Sequence, residues 1–169
     1  MSVFTLFLGF LVAQRLFELA LARVNERHVK KLGAVEFDTN GYRVIAAFHS
    51  LFFISLITEK TVLDTPLVSL WIPLGVLFAL AQVLRYWAIF SLGRLWNTKI
   101  LVVPGMSRVT AGPYAFMNHP NYLAVIIEFV TVPLIFSCYF TAVVFSLLNL
   151  LILKRRIGIE EAHLENLSR

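Results

Sequence analysis

Charge and cysteine are both scarce in this chain. Charged residues make up 15% of the 169 positions and hydrophobic ones 59%, whereas an ordinary soluble domain carries roughly 25% charged residues. Too few ionic groups are present to clothe a globule in water, and with a mean hydropathy of +0.78 the composition indicates a membrane protein and excludes a disordered one. The single cysteine, Cys138, lies inside an apolar run, which excludes a disulfide framework, a paired-cysteine zinc site and a dithiol redox pair. Histidines at metal-ligand spacing, internal repeats and low-complexity stretches are also missing, so residues 1–169 read as one integral-membrane domain with no metal. Met1 to Ala22 has no basic leader and contains Gln14, Arg15 and Glu18, so it is expected to remain as a span and not to be cleaved.

What the chain does have is long apolar runs. A bilayer core about 30 Å thick takes about 20 helical residues, and Val3–Ala22, about Val44–Leu63 and Leu67–Phe90 supply three such runs. The stretch Tyr122–Leu153 has no basic side chain over 32 residues. That is too long for one ordinary span and short for two. Basic residues decide the matter. With a helical pair in 122–153, the segments 23–43, 91–121 and 154–169 share one side and hold twelve of the fifteen lysines and arginines, while the other side holds only Lys60. The expectation is therefore an all-α polytopic protein with five transmembrane helices, the amino terminus outside and the loop and tail in the cytoplasm. The last two helices form a hairpin that breaks near Pro133 and Ser137-Cys138-Tyr139. Basic residues scattered between apolar runs make nucleic acid an unsuitable partner.

Gln14, Arg15, Glu18, His49, Gln82, Arg85 and Glu128 fall at membrane depth, where a charge must face protein, water or a partner. Helix-to-helix bonding is the simplest role. Arg15 and Glu18 can pair on one helix face, Arg85 can reach back to the cytoplasmic surface, and His49 reads as a satisfied polar group. His28 and His163 read as solvated. Glu128 either lines a cavity or caps a packing contact.

The most informative region is the polar interruption Ser91–Tyr122, with three glycines and three prolines. A stretch of that length in a small protein is usually functional. Gly112-Pro113-Tyr114 reads as a turn, and His119-Pro120-Asn121-Tyr122 as a helix start with proline at the first helical position. A helix start can hold an anion, and Tyr114 and Tyr122 offer faces to a cation. In the tail, Arg156 and Glu160 are four apart and share a helix face, with His163 one turn on.

These residues resemble the integral-membrane methyltransferases typified by isoprenylcysteine carboxyl methyltransferase. The resemblance covers about Leu92 to Leu164. It consists of Leu92-Gly93 with Trp96, Val109-Thr110-Ala111-Gly112-Pro113-Tyr114, His119-Pro120-Asn121-Tyr122, and Arg156-Ile157-x-x-Glu160-Glu161. Gln14-Arg15-Leu16-x-Glu18 and Asn25-Glu26-Arg27 further resemble a bacterial branch that methylates alkylpyrones. The resemblance implies S-adenosylmethionine as methyl donor and a lipophilic or lipid-anchored acceptor reached from the bilayer. Carried over by position, it implies donor contacts from Lys99, Met106, Ser107, Arg108, Val109, Tyr114, His119, Pro120, Asn121, Tyr122 and Glu160. Arg156 falls at the acceptor, and Arg156 and Glu160 are the catalytic candidates. The family commonly has arginine or lysine before the His-Pro pair, where this chain has Asn118. Rival readings are a phospholipid N-methyltransferase, a sterol-type membrane reductase and a membrane scaffold without activity.

Overall fold

The structure is a computed structural model that describes residues 2–167. Arg169, counted above with the tail, lies outside the described residues. Five helices carry the chain: α1 Val3–Lys31, α2 Thr39–Val62, α3 Trp71–Leu92, α4 Pro120–Ile135 and α5 Tyr139–Leu167. Their ends follow from local chemistry. The Ser2 hydroxyl accepts the Thr5 N–H at the start of α1, and the Asp38 carboxylate accepts the Gly41 N–H at 3.2 Å at the start of α2, each satisfying a donor that the helix leaves open. Pro120 occupies the first position of α4, where its missing N–H has no consequence.

The expected break in the long apolar run lies at Phe136-Ser137-Cys138, with Ser137 at φ 53° and the Cys138 N–H returning to the Pro133 carbonyl at 2.9 Å. α4 and α5 form the hairpin read from the sequence. Glu59, at the end of α2, receives the N–H groups of Phe140 and Thr141 at 2.9 and 2.8 Å, and so caps the start of α5 from a neighbouring helix.

α1, α2 and α3 are each long and apolar enough to cross a membrane, whereas α4 has 16 residues, about 24 Å at 1.5 Å per residue. α4 occupies the centre. Its Phe129 stacks on Phe48 of α2 with centroids 5.4 Å apart, lies 4.4 Å from Phe52, and shares the core with Phe78 of α3 and Phe145 of α5. Leu6, Phe10, Leu51, Ile54, Leu80 and Val83 face outward. Lipid is as apolar as that core, so the helices are held by close packing and polar bonds more than by burial from solvent.

The polar bonds converge on Glu128. Arg85 and Arg15 both pair with it, Arg15 pairs with Glu18 at 2.7 Å, and Arg85 approaches Glu18 at 3.3 Å. Gln82 donates to Glu128 from α3, and Gln14 donates to Glu18 at 3.0 Å. Arg85 therefore does not reach toward the surface as expected. It is 1% exposed and locked between two carboxylates, because charges of both signs on three helices neutralise one another more completely than partial solvation would. Glu128 acts as a packing contact that joins α1, α3 and α4. His49 donates from Nδ1 to the Ile45 carbonyl at 2.9 Å, in keeping with a satisfied polar group.

One element departs from an all-α architecture. Strands β1 Val35–Phe37 and β2 Ile100–Val102 pair antiparallel, with Val35 opposite Val102 and Phe37 opposite Ile100. They tie the chain after α1 to the segment after α3. α5 also runs unbroken past Leu153, so the tail is a continuation of the last helix and not a separate piece. His163 is not free in water: its ring packs on that of Phe37, tilted by 37° with centroids 3.9 Å apart.

Candidate active site

The site is built where α3 ends. Gly93 adopts φ 52° and starts a 3-10 turn over Gly93–Leu95, a reversal that favours glycine because a Cβ would be strained there. Asn25 of α1 holds this turn by donating to the carbonyls of Gly93 and Trp96 at 3.2 and 2.8 Å. Trp96 is buried against Ala22 and Ile89. After β2 the chain reverses and returns at Gly112, whose φ is +60° and whose absent Cβ would stand 2.1 Å from the Ser91 Oγ. The 3-10 turn Gly112–Ala115 follows, then α4.

A cavity of about 170 Å³ lies between these segments and the far end of α5. Of the residues expected at the donor, Met106, Ser107, Arg108, Val109, Tyr114, His119, Asn121, Tyr122 and Glu160 line it. Four separate stretches of sequence thus meet at one place. Three expected residues do not line it. Pro120 is buried at the first position of α4. Lys99 pairs with Glu26 at 2.9 Å and Glu36 at 3.2 Å and lies over the Tyr42 ring, so it braces β1 and β2 against α1. Arg156 stands beside the cavity behind Tyr122.

Tyr122 is the hub of the charged side. Its hydroxyl donates to Glu160 and accepts from the Arg156 Nε at 2.9 Å, and the Arg156 Nη2 donates to the Thr98 carbonyl at 2.7 Å. The His119 ring lies parallel to the Tyr122 ring at 5.1 Å, and its Nε2 is 3.1 Å from Glu161. Arg156 and Glu160 project from one face of α5, as their spacing predicts, and Tyr122 fixes both. The Tyr114 phenol is pushed above its ordinary value of 10.0, by burial first and by Glu160 second, so it is neutral and able to donate a hydrogen bond. Next to Arg156 on α5, Arg155 grips Asp38 at the start of α2 through two bonds of 3.0 and 2.8 Å and holds that carboxyl below its usual value.

The cavity has further lining residues that sequence reasoning did not assign to it, Leu92, Trp96 and Asn118 being named there only for the resemblance. They are Val29, Leu92, Leu95, Trp96, Asn97, Leu101, Val102, Val103, Asn118 and Leu164. Both amide atoms of Asn97 and the Oδ1 of Asn121 are buried without a hydrogen-bond partner among the described residues. Native proteins rarely leave such groups unpaired, so their concentration at one cavity suits a polar ligand. The signal for Asn97 in the sequence is only the polar Asn97-Thr98 pair directly after an apolar helix.

A family model described as "Isoprenylcysteine carboxyl methyltransferase (ICMT) family" matches residues 72–166, which takes in α3, the loop, the hairpin and the tail. The chain is 44% identical over 166 residues to "Uncharacterized protein YpbQ" of Bacillus subtilis (strain 168), covering 98% of this chain and 99% of that protein. It is 27% identical over 160 residues to an "Uncharacterized protein" of Haemophilus influenzae, covering 93% and 92%. No solved structure matches.

Proposed function

The chain belongs to the isoprenylcysteine carboxyl methyltransferase family and is thus a membrane methyltransferase, and from that premise we propose that it transfers a methyl group from S-adenosylmethionine to an oxygen of a lipophilic acceptor. The acceptor class is the carboxylate of an isoprenylcysteine-like compound or the acidic hydroxyl of an alkylpyrone-like lipid. The observation that carries the reading is the gathering of nine donor-site candidates around one cavity, with the Tyr122 hydroxyl linking Glu160 to Arg156.

The residues suit such a donor. Glu160 accepts hydrogen bonds and attracts an ammonium group, Arg108 and the start of α4 suit a carboxylate, and Tyr114 and Tyr122 offer aromatic faces to a sulfonium. Asn121 supplies an amide oxygen with no bond to lose. The bound donor supplies an electrophilic methyl carbon open to in-line attack. The chain's own task is then to orient the nucleophile and exclude water, which can supply several kcal/mol. Arg156 holds an anionic oxygen of the acceptor, itself aimed by Tyr122 and the Thr98 carbonyl. A neutral amine would give Arg156 no anion to grip, which disfavours the headgroup N-methyltransferase. In this reading α4 and α5 also cross the bilayer, giving five spans, with the amino terminus outside and the cavity facing the cytoplasm, in line with the basic residues of the loops.

The test is to incubate membranes containing the protein with methyl-labelled donor and treat the lipid product with base. Volatile methanol identifies a methyl ester, whereas label that base does not release belongs to an ether or an amine, which mass spectrometry of the product separates. Methylated amine would overturn the O-methyl assignment.

A further inference from the structure

The segment before α4 is not a loop in open water. Gly112 lies against the Trp87 Nε1 and Ser91 Oγ, both in the last turns of α3, and α3 is one of the helices fit to cross a membrane. The turn Gly112–Ala115 and the two residues after it therefore sit at the depth of the α3 end. Three properties suit that depth. From Val109 to Asn118 no residue carries a charge. Several backbone donors are met within the segment: the Tyr114 N–H bonds the Ala111 carbonyl at 3.2 Å, those of Phe116 and Met117 both bond the Pro113 carbonyl at 3.1 Å, and Pro113 has no N–H to satisfy. Irregular backbone at membrane depth is tolerated where it is buried in protein or lines a cavity, and this segment lines the cavity through Tyr114. Phe116 is 81% exposed, with Met117 beside it, and the end of α3 against which Gly112 packs carries the exposed Phe90 (78%) and half-exposed Trp87.

We propose that Phe116 and Met117 insert into the phospholipid leaflet at the carboxyl end of α3, making the Gly112–Met117 turn a membrane-immersed element. What covers this apolar surface is set by its place, because the turn packs on the end of a spanning helix whose own exposed side chains there are apolar, and exposed phenylalanine near tryptophan is the composition of an interfacial anchor. The turn then has two faces. Tyr114 lines the cavity and Phe116, two residues on, meets lipid. On the proposed function, a lipophilic acceptor dissolved in the leaflet would meet the donor cavity across this one turn.

Cys138 is buried and is the sole cysteine, so single spin labels can be placed in a Cys138→Ser background. Labels at Phe116→Cys, at Phe90→Cys as lipid reference and at Lys31→Cys as aqueous reference are compared in phosphatidylcholine–phosphatidylglycerol vesicles by power saturation with oxygen and with a water-soluble nickel chelate. The expected result is that the logarithm of the oxygen-to-nickel accessibility ratio at Phe116 is positive and close to that at Phe90. A negative ratio like that at Lys31 overturns the proposal. If Phe116→Cys does not fold, Met117→Cys is read by the same criterion. A nickel-dominated Phe90 would overturn the membrane placement of α3 along with the proposal. None of these readings depends on methyl-donor binding, so failure here leaves the methyltransferase reading to be judged separately.

Discussion

The Tyr122 hydroxyl stands 2.9 Å from the Arg156 Nε while donating its own proton to Glu160. One phenol at the start of α4 thereby sets two side chains that lie four residues apart on α5. Tyr122→Phe keeps the ring stacked on His119 and removes the shared hydroxyl. Hydrogen bonds to charged groups are worth about 1.5–3 kcal/mol, so turnover is expected to fall roughly ten- to a hundredfold, with a smaller change in donor affinity. Steady-state kinetics beside calorimetric titration of the variant measure both.

Glu160→Ala and Arg156→Ala are expected to separate. Loss of Glu160 weakens binding of S-adenosylhomocysteine by about tenfold, as for one charge-assisted bond, while Arg156→Ala lowers turnover or acceptor affinity and leaves donor affinity nearly unchanged. Lys60→Ala, at the opposite end of α2 from the site, changes neither. Full activity in Arg156→Ala on the true acceptor would contradict its assigned role.

Arg85→Met should unfold the bundle more easily. Removing one member of a buried ion pair costs about 3–5 kcal/mol because a buried charge is left without its counterion; here Glu18 and Glu128, both 4% exposed or less, would share Arg15 alone. Pairing the change with Glu128→Gln should restore part of the loss. Detergent unfolding midpoints for the two variants check the order.

The lines of the fold that follow local rules were readable before any coordinates. Pro120 and its neighbours mark the start of α4, Ser137-Cys138 marks the turn of the hairpin, and the four-residue spacing of Arg156 and Glu160 puts them on one face. Pairings between distant segments were not. Nothing local joins Arg85 to Glu128, 43 residues away, β1 to β2, or Asn97 to the cavity, because periodicity reports which face of a helix is apolar and not which neighbour it meets. The brace role of Lys99 was not legible for the same reason: its ion-pair partners Glu26 and Glu36 lie before α2, far from it in sequence.

Gly112→Ala is expected to loosen the turn that carries Tyr114. Its Cβ would stand 2.1 Å from the Ser91 Oγ at a φ of +60°, and the backbone conformation alone costs an alanine about 1 kcal/mol. Ser91→Gly would relieve the collision and leave the backbone strain, so the double variant should regain part of the lost donor affinity. Calorimetric titration of the single and double variants measures this.

The brace outside the membrane should respond to pH in a defined direction. Hydrogen bonds from Lys30 and Lys99 hold the Glu26 carboxyl below its ordinary 4.5. Its stabilising effect is therefore complete above pH 4.5 and is lost as pH falls through the lower native value. Lys99, raised above 10.5 chiefly by its bond to Glu26, contributes fully below pH 10.5 and loses its effect as pH rises beyond that. The stability difference between the protein and Glu26→Gln should shrink at both extremes, as melting temperatures across the pH range would show.

The central claim is that the cavity between α3, the loop and the far end of α5 holds the methyl donor. Isothermal titration of the purified protein with S-adenosylhomocysteine tests it most directly. The account predicts saturable binding that weakens in Glu160→Ala and persists in Arg156→Ala, whereas a folded protein that gives no binding signal, or that binds a nicotinamide nucleotide in its place, would contradict it.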